Sequence, residues 1–147
     1  MQNRATATIS AILVDDEKLA SEELAYQLKE FPDIDIIATA SNGLEALKLI
    51  QDLEPDLVFM DVQMPGLDGM GVIRKLREQD VPLPYFVMAT AYDQYAVEAF
   101  RWEALDYVLK PVDKERLTVA VERARKAVGD RNKGVQAEPA SPKPAGP

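Results

Sequence analysis

Leu57-Val58-Phe59-Met60-Asp61, at residues 57–61, sets four consecutive apolar residues directly before a carboxylate. An apolar run without alternation is typical of a strand buried on both faces of a sheet. Similar short runs, which alternate with segments of helical periodicity, occur at residues 11–14, 34–39, 85–89 and 107–109. Five such strands alternating with five helices predict an α/β fold: a doubly wound, five-stranded parallel sheet with helices on both faces.

Helices are predicted where apolar residues recur at intervals of three or four. The stripes that mark four of the five are Leu24, Leu28 and Phe31; Leu44, Leu47 and Ile50; Val72, Ile73 and Leu76; and Leu117, Val121, Ala124 and Val128. The fourth helix in chain order is predicted to cover residues 94–103. We expect one domain over residues 9–128, followed by a flexible tail or linker over 129–147, because that tail holds four prolines, three glycines and few large apolar residues.

Composition excludes several classes of function. The 147 residues carry a net charge of −8 and include no Cys and no His. Disulfides, thiol nucleophiles and histidine-based metal sites are therefore excluded, and the acidic balance opposes binding of nucleic acid by this chain alone. No run approaches the roughly 18 apolar residues of a membrane span, and the first ten residues lack a signal-peptide core. We expect a cytoplasmic protein with no membrane partner.

Residues with reactive side chains follow four of the predicted strands. Asp15 and Asp16 follow the first strand, Asp61 the third, Thr90 closes the fourth, and Lys110 follows the fifth. Sites in doubly wound sheets lie beyond the carboxyl ends of the strands, so we expect these groups to converge. Three adjacent carboxylates favour a hard cation such as Mg²⁺.

Phosphoryl transfer uses such a set of groups. Asp61 is the predicted nucleophile, because a carboxylate can form an acyl phosphate. Lys110 supplies a positive charge and Thr90 a hydroxyl donor for the phosphoryl oxygens. Taken singly, each residue has a simpler interpretation as a helix cap, a turn residue or surface charge. Their joint occurrence at four neighbouring strand ends favours the functional interpretation.

The segments that carry these residues resemble the signature segments of two-component response-regulator receiver domains. They are VDDE at 14–17, MDVQMPGLDG at 60–69, TA at 90–91 and YVLKP at 107–111, and the match runs in order from about residue 9 to 128. The resemblance implies that Asp61 is phosphorylated by a sensor histidine kinase. It also implies Mg²⁺ bound directly by Asp16, Asp61 and the backbone carbonyl of Gln63, with Asp15 acting mainly through water.

The same resemblance implies further roles. Thr90 and Lys110 would hold the phosphoryl oxygens, and the Lys110–Pro111 peptide bond would be cis. Tyr107 would be the switch aromatic: when Thr90 moves toward the phosphoryl group, Tyr107 rotates inward. The face formed by the fourth helix, fifth strand and fifth helix changes as a result.

A narrower resemblance is to receivers of the LytR/AlgR type, through TAYDQYAVEAF at 90–100 and ALDY at 104–107. Such receivers carry a C-terminal LytTR DNA-binding domain, which this chain lacks, and its tail is where a linker to one would begin. Aromatic residues concentrate on or near the fourth helix. We expect Phe100 to pack on the sheet and at least one of the others, Tyr92, Tyr95 and Trp102, to be exposed and to contribute to a homodimer interface.

Three alternatives remain open. A stand-alone receiver that regulates a protein partner would share the chemistry and differ in output. A Mg²⁺-dependent aspartyl phosphatase of the haloacid dehalogenase class would need a second Asp two residues after the nucleophile, where this chain has Gln63. A flavodoxin-like FMN binder needs hydroxyls in its first loop, which here begins Asp15-Asp16-Glu17. We therefore expect no enzyme beyond catalysis of its own phosphorylation and dephosphorylation.

Overall fold

The computed structural model describes residues 8–136, with side chains as far as residue 132. Five strands form one sheet: β1 (Ile9–Val14), β2 (Ile34–Ala40), β3 (Leu57–Met60), β4 (Tyr85–Thr90) and β5 (Asp106–Leu109). All neighbouring pairs are parallel, and the order is β2-β1-β3-β4-β5. The predicted doubly wound fold is confirmed, and the strand β3 that carries Asp61 at its end lies in the centre of the sheet.

Helices cover both faces of the sheet: α1 (Lys18–Leu28), α2 (Gly43–Leu53), α3 (Gly69–Glu78), α4 (Ala96–Arg101) and α5 (Lys114–Gln136). Because successive strand residues point to opposite faces, Ile12 and Val14 pack toward α2, α3 and α4, whereas Ala11 and Leu13 pack toward α1 and α5. Between residues 8 and 136, no helix combines the length and the apolar character needed to cross a membrane.

The loop between β3 and α3 is held in place by close backbone packing and by a helix cap. A Cβ atom on Gly43 would lie 2.1 Å from the carbonyl oxygen of Leu67, so only glycine allows α2 to approach the loop this closely. Asp68 caps α3 by accepting a hydrogen bond of 2.8 Å from the backbone N–H of Gly71. The loop that carries the candidate site is therefore anchored at its far end.

Helix α5 extends beyond the predicted domain boundary. It continues through residues 129–136, which we predicted to belong to the tail, and residues 137–147 lie outside the described part of the chain. Arg131 explains part of this extension: its guanidinium pairs with Asp56 at 2.9 Å and lies 4.9 Å from the ring centre of Tyr85. The scarcity of large apolar residues after residue 128 does not reveal this part of the helix, because an arginine rather than an apolar side chain anchors it.

A second arginine anchors α5 in the same way. Arg125 makes two hydrogen bonds to Asp33, of 2.7 and 2.8 Å, and its guanidinium lies 5.7 Å from the ring centre of Phe31. In both cases the paired aspartate directly precedes a strand. The second half of α5 is thus fixed to the amino-terminal edge of the sheet, opposite the edge where Asp61 lies.

The segment after β4 differs from the helix predicted for residues 94–103. A 3₁₀ turn at Asp93–Tyr95 leads into the short helix α4, whose only buried residue is Ala99. Phe100 is 53% exposed, so the prediction that it packs on the sheet was wrong. A helix of six residues presents little more than one side chain to the sheet, and in α4 the side chain that packs there is the small Ala99.

Candidate functional site

The carboxyl ends of β1, β3, β4 and β5 meet at one edge of the sheet, as predicted. Backbone hydrogen bonds fix their relative positions: the Asp61 N–H donates to Val14 O at 3.0 Å, and the Lys110 N–H donates to Thr90 O at 2.8 Å. Asp15 and Asp61 directly follow β1 and β3, and both are buried. The sheet therefore places the predicted acidic, hydroxyl and amine groups side by side.

Lys110 links two of the carboxylates. Its Nζ lies 2.6 Å from Asp15 Oδ2 and 3.0 Å from Asp61 Oδ2, and its side chain is only 17% exposed. Burial alone would lower the pKa of Lys110, but the hydrogen bonds to Asp15 and Asp61 and the attraction of both charges raise it above its ordinary value. The ammonium group is thus charged at neutral pH and stands beside the Asp61 oxygen. The Lys110–Pro111 peptide bond is cis, as expected.

Three carboxylates form a cluster that fits a cation. One oxygen each from Asp15, Asp16 and Asp61 lie within 4.8 Å of one another, and Asp16 is exposed. Three oxygen donors with room for water on the exposed side match the preferences of Mg²⁺. Gln63 is close, since its backbone N–H donates to Asp61 Oδ1 at 3.1 Å. That its carbonyl oxygen is a metal ligand stays a prediction.

Thr90 is fully buried at the end of β4. Among the residues that the structure describes, its hydroxyl has no hydrogen-bonding partner. An unpaired buried hydroxyl is unfavourable for folding, so its presence needs an explanation outside the packing. A phosphoryl oxygen on the adjacent Asp61 would be such a partner.

Tyr107 lies inward in this structure. Tyr107 is 8% exposed, and its hydroxyl donates a hydrogen bond to the backbone carbonyl of Tyr92. Burial raises the pKa of Tyr107 above its ordinary value, although the backbone of Tyr95 acts in the opposite direction. The predicted switch residue is therefore in direct contact with the segment that follows β4. That it rotates on phosphorylation stays a prediction.

The three aromatic residues predicted at an interface differ in exposure. Tyr92 is 43% exposed, whereas Tyr95 and Trp102 are partly buried against the core. The rings of Tyr92 and Tyr95 pack edge to face, with centres 6.3 Å apart. The Tyr95 hydroxyl accepts a hydrogen bond of 2.6 Å from the side-chain amide of Gln63. Of the three, Tyr92 is the one open to solvent, and the exposed Phe100 lies near it in the chain.

Asp106 is a charged group to which the sequence interpretation assigned no role. It begins β5, is 1% exposed, and is bound by Arg116, whose Nη1 lies 2.9 Å from Oδ2, and by Arg123 at 3.0 Å. The Tyr107 backbone N–H is a further donor at 2.8 Å. A signal was present: Arg116 and Arg123 are seven residues apart, so they share one face of α5.

Comparisons with known proteins agree on the family. A family model described as the response regulator receiver domain matches residues 11–122. A response regulatory protein of Vibrio cholerae is 50% identical over 115 residues, which are 78% of this chain and 48% of that protein. The sensory transduction protein LytT of Enterococcus faecalis is 42% identical over 118 residues, 80% of this chain and 48% of LytT. The transcriptional regulatory protein BtsR of Escherichia coli is 41% identical over 117 residues, with the same two shares.

Solved structures give the same result for the fold. The response regulatory domain of protein mrkE from Klebsiella pneumoniae has a TM-score of 0.76 and 33% identity, covering 83% of this chain and 99% of that one. The chain thus matches a receiver domain over nearly the whole length of that domain. It spans about half the length of the curated relatives that it matches.

Proposed function

The chain belongs to the response regulator receiver family, and on this basis we propose that it accepts a phosphoryl group on Asp61 from a partner sensor histidine kinase. The observation that carries the proposal is the position of Lys110, whose ammonium group lies 3.0 Å from Asp61 Oδ2 beside a cluster of three carboxylates. A carboxylate next to a fixed cation is suited to receive a group that adds negative charge.

In the proposed reaction an Asp61 carboxylate oxygen attacks the phosphorus of a phosphohistidine. A new O–P bond forms while the N–P bond breaks, and its electron pair returns to the imidazole nitrogen. Lys110 Nζ moves from its contacts with the carboxylates to the phosphoryl oxygens, where it offsets their charge. Asp16 and Asp61 would hold a Mg²⁺ ion, with Asp15 acting mainly through water, and the ion would offset part of that charge.

The unpaired Thr90 hydroxyl provides the link to the rest of the domain. It gains a partner when phosphoryl oxygens are present, so phosphorylation favours the packing in which Thr90 donates to them. Tyr107 occupies the space next to this strand end and contacts the backbone of Tyr92. A shift of Thr90 is thereby transmitted to the face formed by α4, β5 and α5.

This face is the proposed output surface. Its large apolar side chains are exposed between 44% and 70%: Val97, Phe100, Leu109 and Val119. A second phosphorylated copy would cover them in a homodimer. The name of BtsR, a transcriptional regulatory protein, supports a role in control of transcription. The resemblance to LytR/AlgR-type receivers supports a LytTR DNA-binding domain outside this chain as the output. We place the reaction in the cytoplasm as part of the same proposal.

The chemistry is tested by intact-mass spectrometry after incubation with acetyl phosphate, with and without Mg²⁺. We expect one phosphoryl adduct that requires both Mg²⁺ and Asp61, with Asp61→Asn as the isosteric negative control. Asp35→Asn, on the exposed edge of β2, is the matched control and should be phosphorylated normally. No adduct under conditions where Mg²⁺ binding is demonstrated would refute the proposal.

The output is tested by light scattering of the eluted protein before and after phosphorylation. Dimerisation should depend on phosphorylation and should be lost in Phe100→Asp, which places a charge on the exposed apolar face. Strictly monomeric elution of the phosphorylated wild type at high concentration would contradict a homodimer. In that case a stand-alone receiver that binds another protein becomes the better interpretation.

A further inference from the structure

A hydrogen bond joins two loops at the rim of the site. Gln63, in the loop between β3 and α3, donates from Nε2 to the hydroxyl of Tyr95 at 2.6 Å. The backbone N–H of the same Gln63 donates to Asp61 Oδ1 at 3.1 Å. One residue thus contacts the predicted phosphoacceptor through its backbone and the 3₁₀ turn after β4 through its side chain.

We propose that Tyr95 is a positioning residue that slows loss of the phosphoryl group by holding the Gln63 side chain across the rim of the site. The inference rests on the proposed function, because it concerns the lifetime of the acyl phosphate on Asp61. Tyr95 is fit for this role since its ring is partly buried and packs edge to face on Tyr92, at 84° between the planes. Its hydroxyl is therefore a fixed acceptor.

The direction from which water attacks explains why side chains at the rim of the site affect the rate of hydrolysis. The water oxygen attacks phosphorus from the side opposite Asp61, forming a new P–O bond as the bond to the Asp61 oxygen breaks. The electron pair stays on the carboxylate, and both hydrogens of the water leave on dihydrogen phosphate. This approach passes through the open mouth of the site, a cavity of about 510 Å³ lined in part by Gln63 and Tyr92. A tethered Gln63 side chain restricts that approach.

The test is a double-mutant cycle read out as the rate of phosphoryl loss after the phosphodonor is removed. Tyr95→Phe keeps the ring and deletes the acceptor, so loss should accelerate about three- to tenfold, the range for one net hydrogen bond. In a Gln63→Ala background the same Tyr95→Phe change should have no effect. Tyr26→Phe, at an exposed tyrosine of α1, is the matched control and should leave the rate unchanged.

Two kinetic outcomes would overturn the inference. If the rate of phosphoryl loss is unchanged in Tyr95→Phe, the Tyr95 hydroxyl has no role in hydrolysis. If Tyr95→Phe has the same effect with and without the Gln63 side chain, the hydroxyl does not act through Gln63 and its role is structural. A third measurement needs no phosphorylation: the side-chain amide of Gln63 should be ordered by NMR relaxation in the wild type and mobile in Tyr95→Phe. A mobile Gln63 side chain in the wild type would refute the hydrogen bond to Tyr95 as a tether. Absence of any phosphoryl adduct on the wild type would refute the proposed function, and the role of Tyr95 in slowing hydrolysis with it.

Discussion

Asp106→Asn is expected to lower the free energy of unfolding by about 2–3 kcal/mol at pH 7. The carboxylate is 1% exposed, accepts hydrogen bonds from Arg116 and the Tyr107 backbone, and forms an ion pair with Arg123 at 3.0 Å. Asparagine keeps the shape and one acceptor oxygen, but it removes the charge and points an N–H₂ group at a guanidinium. The substitution therefore leaves two cations without their shared anion.

The expected loss in free energy of unfolding lies between the values for a fully buried and for an exposed ion pair. Breaking a fully buried ion pair costs about 3–5 kcal/mol, because the remaining charge stays desolvated. The side chains of Arg116 and Arg123 are 37% and 52% exposed, so water can solvate them after the change. An exposed pair would contribute only about 0–1 kcal/mol. The buried anion with half-exposed cations lies between these limits.

The assay is urea unfolding followed by Trp102 fluorescence, with Glu115→Gln on the exposed side of α5 as the matched control. Although burial alone would raise the pKa of Asp106, the hydrogen bonds from Arg116 and the Tyr107 backbone and the charges of both arginines hold it below the ordinary value of 3.8. Its stabilising contribution is therefore present above that value and is lost as the pH falls through the lowered folded-state pKa. The difference between wild type and Asp106→Asn should shrink in acid. A loss below about 1 kcal/mol at pH 7, or a pH-independent difference, would refute the reasoning.

Four further substitutions test other contacts, by the same unfolding assay unless another measurement is named. In Gly69→Ala the new Cβ would lie 2.6 Å from the Asp61 carbonyl oxygen, so we expect the free energy of unfolding to fall by about 1–3 kcal/mol and phosphorylation to be slower. In Gly129→Ala the new Cβ meets open space, so the free energy of unfolding should instead rise by about 0.5–1 kcal/mol. Thr90→Val should raise the stability of the unphosphorylated protein by about 1 kcal/mol, because it removes an unpaired buried hydroxyl, and abolish phosphorylation-dependent dimerisation. Arg131→Ala should increase amide hydrogen exchange in residues 129–136, since the pair with Asp56 is lost; unchanged protection there would contradict this anchor.

Much of the fold was predictable because the strands are short, apolar and evenly spaced. Leu57 to Met60 are all buried, as a central parallel strand requires. Amphipathic periodicity identified the buried face of α5, and Leu117 and Val121 lie there. The pattern was less informative for α2, where Leu44 is 67% exposed and the small Ala46 is buried instead. Small residues in contact with the sheet carry little hydrophobic signal in the sequence.

The site was predictable to the extent that backbone topology determines it. Asp61, Thr90 and Lys110 lie together because parallel strands end at one edge, and the succession of strands along the chain is enough to infer this. The contacts of Asp106 and the bond between Gln63 and Tyr95 depend on side-chain conformations and on how loops close. The spacing of Arg116 and Arg123 places them on one face of α5, but it does not identify Asp106 as their partner. No spacing or residue type links Gln63 to Tyr95, so these contacts emerge only from the structure.

The position of the arginine anchors on α5 has a consequence for how such a chain can vary. Asp33 and Asp56 lie at the opposite edge of the sheet from Asp61, and the described contacts of Arg125 and Arg131 involve none of the residues around the acceptor. Effects of substitutions without shared partners are close to additive. Mutations that change the reactivity of Asp61 can therefore accumulate without destabilising the second half of α5. Substitutions at the two edges of the sheet can be selected independently.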